Sequence, residues 1–278
     1  MKVAPQRQPT FSYIKKQRDD LMKFSSSTRI LFLGLMMIGF TNPAPAAQHW
    51  KDLYEPQIFD DMPCRIMRPL SLNAEKKYPV IVSLHGGGGR GKDNEKQLKD
   101  WNSQLSEEQR RRDHPCYVIA PQANQLWNAD HLRKIKALIS TLPSVDMNRI
   151  YILGHSMGGH GTYIFIQLDP NFFAAAAPSA GSGLKSTEPF IDPSKIKDVP
   201  IWAFHGNEDG VCPIEKDQEV FDEMKQIGGN MKLTIWQGDN HGVSGKFILG
   251  SKNGVTYTSN DRCDHEPHFL TWLFAQSK

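Results

Sequence analysis

Short runs of consecutive apolar residues alternate with longer amphipathic segments along most of this chain. The apolar runs are rich in β-branched residues and predict buried strands at residues 78–84, 117–120, 149–153, 173–177, 200–204 and 232–236. The amphipathic segments predict helices at residues 129–142, 159–168, 215–227 and 266–276. Strands buried on both faces and separated by helices favour an α/β fold with a mostly parallel sheet and helices on both faces. An earlier run at residues 62–70 predicts an antiparallel strand before the parallel ones.

The first 47 residues have a different character. Arg29 precedes an almost wholly apolar run at residues 30–40, and an A-x-A site follows at Ala44-Pro45-Ala46. A basic region, a short apolar core and such a site are typical of a secretory signal peptide, and the core is too short to span a bilayer. We expect residues 1–47 to be a signal peptide, with residues 1–21 as an extension upstream of a more typical start. We then expect residues 48–278 to form a single domain, secreted or periplasmic, with no stable membrane anchor.

The charge argues against nucleic acid as a partner. The 278-residue chain has a formal net charge of +3, but residues 1–46 contain seven Lys or Arg and two Asp or Glu. The rest has 26 basic and 28 acidic residues, which is a net charge of −2. In an exported protein the four cysteines, Cys64, Cys116, Cys212 and Cys263, are compatible with two disulfides in three connectivities. Buried free thiols are the alternative.

The segment Gly154-His155-Ser156-Met157-Gly158 has the pattern G-x-S-x-G between a predicted strand and a predicted helix. A serine at such a turn has a strained backbone that exposes its hydroxyl, and the glycines avoid collisions with the neighbouring elements. We therefore predict Ser156 as a nucleophile. The N–H of Met157, at the helix start, is predicted to stabilise an oxyanion, and His155 is predicted to be structural.

A glycine-rich run, residues 85–91, follows the predicted strand 78–84. Backbone amides in such a run can approach a ligand closely, so we predict that the N–H of Gly87 completes an oxyanion hole with Met157. A flexible loop is the alternative. A phosphate-binding loop is disfavoured because Gly91-Lys92 is followed by Asp93 instead of Ser or Thr.

Polar segments also follow two later predicted strands. Asp209 follows the strand at 200–204 and is predicted to be the acid that orients a catalytic histidine, with Glu208 as the alternative. His241 follows the strand at 232–236 and is predicted to be the general base. His205 is expected to hydrogen-bond loop backbone. Along the chain, the predicted nucleophile Ser156, acid Asp209 and base His241 therefore occur in the order Ser, Asp, His.

Two other regions have competing interpretations. Residues 263–268 contain metal-ligand residue types but lack H-E-x-x-H spacing, so we expect no metal site, and Asp264 or Glu266 is expected to cap the last helix. His265 or His268 is an alternative general base. Trp127 lies beyond a predicted strand and is a candidate substrate-pocket residue, with core packing as the alternative.

These motifs resemble those of compact α/β-hydrolases with little or no lid. Residues 78–94 (YPVIVSLHGGGGRGKDN), 154–161 and 205–213 resemble phospholipase/carboxylesterase, feruloyl-esterase and polyhydroxybutyrate-depolymerase-like proteins, which bacteria often export. The resemblance covers roughly residues 79–272 and implies the α/β-hydrolase fold with Ser156, Asp209 and His241 as the triad. Residues 242–264 depart from the pattern, because short relatives run soon from the histidine into the last helix. This insertion either shapes the pocket or lies on the surface.

The sequence therefore predicts an exported serine esterase that acts through an acyl-enzyme and needs no cofactor or metal ion. Its expected partner is an ester substrate, polysaccharide-linked or another small acyl ester, and no nucleic acid. A serine peptidase of the same fold is the first alternative. A non-catalytic carbohydrate-binding protein is the second, and it is disfavoured because all three triad residue types are present.

Overall fold

A nine-stranded sheet forms the centre of the computed structural model, which describes residues 49–182 and 191–278. The predicted signal peptide lies outside the described residues. The strands are β1 (Glu55–Phe59), β2 (Met62–Met67), β3 (Tyr78–Leu84), β4 (Tyr117–Pro121), β5 (Val145–His155), β6 (Ala175–Ser179), β7 (Ile201–Gly206), β8 (Met231–Trp236) and β9 (Gly254–Thr258).

The strand order is β1-β2-β4-β3-β5-β6-β7-β8-β9. Strands β4, β3, β5, β6, β7 and β8 are parallel to their neighbours within that block, whereas β1, β2 and β9 pair antiparallel. The carboxyl ends of the parallel strands therefore meet at one edge, where sites form in such sheets. This confirms the predicted mostly parallel α/β sheet and the antiparallel strand at its start.

Helices cover both faces of the sheet. The described α-helices are α1 (Asp100–Ser106), α2 (Glu108–Asp113), α3 (Ala129–Thr141), α4 (Met157–Leu168), α5 (Pro193–Ile196), α6 (Glu215–Gln226) and α7 (Phe269–Ala275). Side chains of α3, α4, α5 and α6 belong to one apolar cluster with the sheet, and those of α1 and α7 belong to a second cluster. The sheet thus separates two apolar layers, as expected when its strands are buried on both faces.

The last helix begins later than the predicted residue 266. Asp264 Oδ1 accepts from the N–H of Glu266 (2.6 Å), and Glu266 Oε1 accepts from the N–H of His268 (2.8 Å). These carboxylates stabilise turns that precede the helix, and the helix itself starts at Phe269 with no side-chain cap. Their predicted role as helix caps is wrong for this reason.

The insertion at residues 242–264 contributes to the core and to the sheet. It supplies the edge strand β9, and its Phe247 is fully buried against the rings of Trp101, Phe204 and Phe269. The amide of Gln104 on α1 also donates to the carbonyl of Gly245 (2.8 Å). The insertion is therefore part of the core and of the sheet of the domain, and it does not lie only on the surface.

All four cysteines are buried free thiols. This corrects the disulfide interpretation and agrees with the alternative: a domain with two extensive apolar layers does not depend on covalent staples. Within residues 49–182 and 191–278, no helix is long and apolar enough to cross a membrane.

Candidate active site

Ser156 lies at the sharp turn between β5 and α4. Its backbone has φ 58° and ψ −121°, which is a strained conformation for a residue with a side chain. Two hydrogen bonds fix the turn: the N–H of Ser156 donates to the carbonyl of Ser179 (2.8 Å), and the N–H of His160 donates to the carbonyl of Ser156 (2.9 Å). The turn presents the hydroxyl at the carboxyl edge of the sheet, as in a nucleophile elbow.

The glycines of the motif allow backbone segments to lie against one another. A Cβ on Gly158 would lie 2.0 Å from the carbonyl oxygen of Leu84 at the end of β3. A Cβ on Gly154 would lie 2.4 Å from the carbonyl oxygen of Gly158. Only glycine therefore fits at either position without moving the helix away from the sheet.

His241 lies between Ser156 and Asp209. Its Nε2 is 2.9 Å from Ser156 Oγ, and its Nδ1 is 2.7 Å from Asp209 Oδ2. The hydrogen bonds are consistent with one tautomer, in which Nδ1–H donates to the carboxylate and Nε2 accepts from the hydroxyl. The structure thus brings together the three residues that the sequence predicted, from the ends of β5, β7 and β8.

Asp209 is held by four donors. Its Oδ1 accepts from the N–H groups of Val211 (2.8 Å) and Cys212 (2.9 Å), and its Oδ2 accepts from His241 and from His205 Nε2 (3.1 Å). Burial alone would raise the pKa of this carboxyl, but the hydrogen bonds from the two histidines and the two N–H groups outweigh it and hold the pKa well below its usual range. Asp209 is therefore ionised beside His241.

The competing residues are placed elsewhere. Glu208 is exposed, and its backbone N–H donates to the carbonyl of Asp239 (2.8 Å). His265 and His268 are also exposed and lie in the turns before α7. The hydroxyl of Ser156 and the carboxylate of Asp209 are instead hydrogen-bonded to His241.

The glycine-rich loop passes directly over the nucleophile. A Cβ on Gly86 would lie 3.0 Å from the carbonyl oxygen of His155 and 3.3 Å from Ser156 Cβ. Gly87 is the first residue of a 3₁₀ turn, Gly87–Gly89, and Met157 is the first residue of α4. The first N–H groups of a helix have no intrahelical acceptor, so the N–H groups of Gly87 and Met157 have none within their own helices.

His85 fixes this loop from below. Its Nε2 accepts from the N–H of Ala123 (3.0 Å), so Nδ1 carries the proton and donates to the carbonyl of Gly86 (2.7 Å). Burial lowers the pKa of His85 to about 4, which keeps the ring neutral. A neutral imidazole thus connects the loop to the end of β4.

Trp127 does not line an open pocket. It is 2% exposed, its Nε1–H donates to the carbonyl of His85 (3.2 Å), and its ring fills the space where a Cβ on Gly161 would lie. The candidate role in the substrate pocket is therefore corrected to the alternative, core packing. The ring supports the glycine-rich loop and α4 from the interior.

His155 lies behind the base. Its ring centroid is 4.9 Å from that of His241, and its Nδ1 is 3.1 Å from Ser179 Oγ. Burial lowers the pKa of His155 to about 3, with the neighbouring His241 as the next cause. A neutral ring that packs against His241 agrees with the structural role predicted for it.

Two residues near the site have no sequence motif. Asp217 on α6 accepts from His205 and from the hydroxyl of Tyr163 on α4, and all three are buried. The one sequence signal is the position of Asp217, which lies three and seven residues before Val220 and Met224 on the buried face of α6. A carboxylate on an apolar helix face needs a partner.

The loop that carries His241 is hydrogen-bonded to the insertion at residues 242–264. Lys246 Nζ donates to Asp239 Oδ2 and forms an ion pair with it, and Asn253 Nδ2 donates to the same oxygen (3.0 Å). Asp239 lies two residues before His241, so these contacts restrain the histidine. No group of three His, Cys, Asp or Glu residues in the described part of the chain has the geometry of a metal site.

Comparisons with known proteins found a family and solved structures that this chain resembles. The model of the dienelactone hydrolase family matches residues 104–275, more than half of the chain. A thermostable esterase of known structure is 30% identical with a TM-score of 0.65, and the match covers 82% of this chain and 64% of that one. The dipeptidyl peptidase 4 of Porphyromonas gingivalis is 15% identical with a TM-score of 0.55, covering 72% of this chain and 33% of that one.

Among curated proteins, the uncharacterized peptidase YuxL of Bacillus subtilis (strain 168) is 22% identical, and the match covers 64% of this chain and 33% of that protein. This chain thus spans about a third of the length of the peptidases and less than two thirds of the esterase. At these identities the likeness to the peptidase structure shows the fold alone.

Proposed function

This chain belongs to the dienelactone hydrolase family of the α/β-hydrolase superfamily, and we propose that it is a serine esterase that cleaves carboxylic esters through an acyl-enzyme. The observation that carries the proposal is the unbroken hydrogen-bond chain from Ser156 Oγ through His241 to Asp209, at 2.9 and 2.7 Å. Both distances lie within the range in which proton transfer and orientation of the base operate.

In the proposed first half-reaction, Ser156 Oγ attacks the ester carbonyl carbon while His241 Nε2 takes the hydroxyl proton. The carbonyl oxygen becomes an oxyanion that accepts from the N–H groups of Gly87 and Met157. The ionised Asp209 stabilises the imidazolium. When the C–O bond to the alcohol breaks, His241 returns the proton to the leaving oxygen, and the acyl group stays on Ser156.

In the second half-reaction, His241 takes a proton from water, and the resulting nucleophile attacks the acyl carbon. The second tetrahedral intermediate uses the same two N–H donors. Its collapse breaks the bond to Ser156 Oγ, which recovers its proton from His241, and the carboxylic acid leaves. The net reaction consumes one ester and one water and yields one acid and one alcohol.

The decisive variant is Ser156→Ala, assayed with 4-nitrophenyl acetate. We expect kcat to fall by roughly 10³-fold or more, because the nucleophile is lost while the oxyanion donors remain. Ser140→Ala is the matched control, since Ser140 is an exposed serine on α3 and its loss should leave kcat unchanged. Ester hydrolysis that survives in Ser156→Ala would disprove the proposal. The proposed route uses no metal ion, so EDTA should not alter the rate.

A peptidase activity is the second candidate, and the similarity to the uncharacterized peptidase YuxL favours it. The greater identity to an esterase supports the ester. Parallel assays on aryl esters and aminoacyl anilides separate the two, and a kcat/KM that is higher for the anilides would reverse the assignment.

We further propose that the substrates are small acyl esters, including those linked to polysaccharides, and that the protein is exported. The resemblance of the motifs at residues 78–94, 154–161 and 205–213 supports the first proposal, and the leader pattern in residues 1–47 supports the second. A panel of acetyl-xylan, methyl ferulate and esters of short and long acyl chains tests the substrate class. N-terminal sequencing of the protein recovered outside the cytoplasm tests export.

A further inference from the structure

A buried imidazole lies behind the candidate acid. His205, the last residue but one of β7, is 0% exposed, and both of its ring nitrogens face oxygen atoms. Its Nε2 is 3.1 Å from Asp209 Oδ2 and 2.8 Å from the carbonyl oxygen of Cys212. Its Nδ1 is 2.5 Å from Asp217 Oδ2.

The acceptors determine where the protons of His205 lie. A carbonyl oxygen can only accept, so Nε2 carries a proton and shares it between the carbonyl of Cys212 and Asp209. The second proton lies between Nδ1 and Asp217. Burial alone would lower the pKa of His205, but the hydrogen bonds with Asp209 and Asp217 outweigh it and raise the pKa to about 10.

Asp217 is itself fixed from the far side. Its Oδ1 accepts from the hydroxyl of Tyr163 (3.0 Å) on α4, the helix that begins directly after Ser156. Burial raises the pKa of Tyr163 well above its ordinary value, and the charge of Asp217 adds to the rise, so the hydroxyl remains a donor. The buried chain Tyr163–Asp217–His205 thus joins the helix of the nucleophile to the loop of the acid.

We propose that His205 is a positioning residue for the reaction: its Nε2–H donates to Asp209 and holds the carboxylate in the orientation that His241 needs, while Asp217 and Tyr163 hold the imidazole from behind. The inference rests on the function proposed above. It assigns to His205 more than the contact with loop backbone that the sequence suggested.

The contacts of Asp209 show what His205 adds. The two N–H groups of the turn fix Oδ1, whereas Oδ2 is bound by the two histidines alone among the described residues. His241 gains and loses a proton during the reaction, so His205 is the donor to Oδ2 that does not change. In addition, the charges of His205 and Asp217 offset each other, which leaves the negative charge of Asp209 available to the imidazolium of His241.

The titratable groups around His205 come from four elements of the fold. They are Asp209 on the loop after β7, Asp217 on α6, Tyr163 on α4 and His155 on β5. His155 is neutral because of burial, as described above, so Asp209 and Asp217 dominate the charge that His205 experiences.

The kinetic test compares His205→Leu with His205→Gln. Leucine removes the donor, and we expect kcat for 4-nitrophenyl acetate to fall ten- to about a hundredfold with KM within about twofold, because the catalytic group is displaced but the substrate site is not. Glutamine offers an amide N–H near the position of Nε2 and should recover most of the loss. A merely structural role would make the two variants equal.

Thr234→Val is the matched control. Thr234 is a buried residue of β8 whose hydroxyl accepts from Trp202 Nε1 (2.8 Å) and has no contact with the acid loop. This variant should lower the melting temperature without changing kcat per folded molecule. A His205→Leu variant with kcat within twofold of wild type, or a His205→Gln variant as impaired as His205→Leu, would overturn the proposal.

A spectroscopic test needs no hydrolysis and therefore separates this inference from the proposed esterase activity. In protein labelled with ¹⁵N-histidine, the signals of His205 are assigned by their absence in His205→Gln, and we expect both ring nitrogens to be protonated from pH 6 to pH 8. Asp217→Asn should remove the proton from Nδ1 and leave that on Nε2. A wild-type ring without a proton on Nε2 at pH 7 would refute the donor assignment, even where a leucine variant fails to fold.

Discussion

Gly158→Ala is the most direct test of how the sheet shapes the nucleophile turn. The added methyl group would lie 2.0 Å from the carbonyl oxygen of Leu84, 2.7 Å from its carbonyl carbon and 2.9 Å from the carbonyl oxygen of His85. Non-bonded carbon–oxygen contacts lie at about 3.3 Å or more. Since the obstructing atoms are backbone, the start of α4 must move away from β3 by more than about 1 Å.

This displacement moves Ser156 and Met157 together, because they lie two residues and one residue before Gly158. A misplacement of about 1 Å costs up to about a hundredfold in rate. We therefore expect kcat/KM for 4-nitrophenyl acetate to fall about a hundredfold. Overpacking should also lower the free energy of unfolding by about 1–3 kcal/mol, measured by urea denaturation.

Gly88→Ala is the control for the alanine substitution itself. A Cβ on Gly88 meets no atom within 4 Å, and its backbone does not lie in the left-handed region. This variant should fold with wild-type stability. A Gly158→Ala protein that keeps kcat/KM within threefold of wild type would refute the steric account of the elbow.

Three further variants test separate parts of the structure. The first variant is His205→Gln. In the wild-type protein, burial alone would lower the pKa of His205, but its two carboxylate partners raise it to about 10. The folded wild-type protein therefore keeps a proton that the unfolded chain loses near pH 6.5. The difference in free energy of unfolding between wild type and His205→Gln should thus be largest below about pH 6.5 and should fall by about 1.4 kcal/mol per pH unit between about pH 7 and 9.5. Urea denaturation that gives the same difference at every pH in that range would contradict this prediction. Trp127→Ala should cost about 3–5 kcal/mol of stability in the same assay, because the ring is fully packed, and a cost below about 1 kcal/mol would contradict its place in the core. Lys246→Met removes the ion pair with Asp239 and should lower kcat about two- to fivefold with KM unchanged, whereas an unchanged kcat would show that the pair does not restrain His241.

The parts of the fold with strong local signals were predictable. Strands such as Tyr78–Leu84 and Met231–Trp236 are short segments rich in apolar and β-branched residues between turn residues, and they occur in the structure as expected. The edge strands were not. Glu55–Phe59 contains proline and glutamine, and Gly254–Thr258 is mostly exposed, so neither shows the pattern of a buried strand.

The residues of the candidate site also include some that the sequence could predict and some that it could not. The glycine-flanked Ser156 and the polar residues at later strand ends could be found because the chemistry requires those residue types at those positions. The partners of His205 could not, because Asp217 and Tyr163 meet only after two helices pack on the same face of the sheet. The place of Trp127 depended on burial, which neither its neighbours nor its spacing reveals.

The insertion at residues 242–264 makes the active site less resistant to heat than the rest of the fold. Its strand β9 is exposed and, among the described strands, pairs with β8 alone; both are features of a segment that opens before the centre of a sheet does. Opening of β9 would release Asn253, the residue directly before it, from Asp239 and loosen the loop of His241 while the parallel strands stay paired. Heat would then inactivate the protein before it unfolds. Residual activity after heating would report the stability of the β8–β9 edge, whereas the calorimetric melting temperature would report the stability of the interior of the sheet.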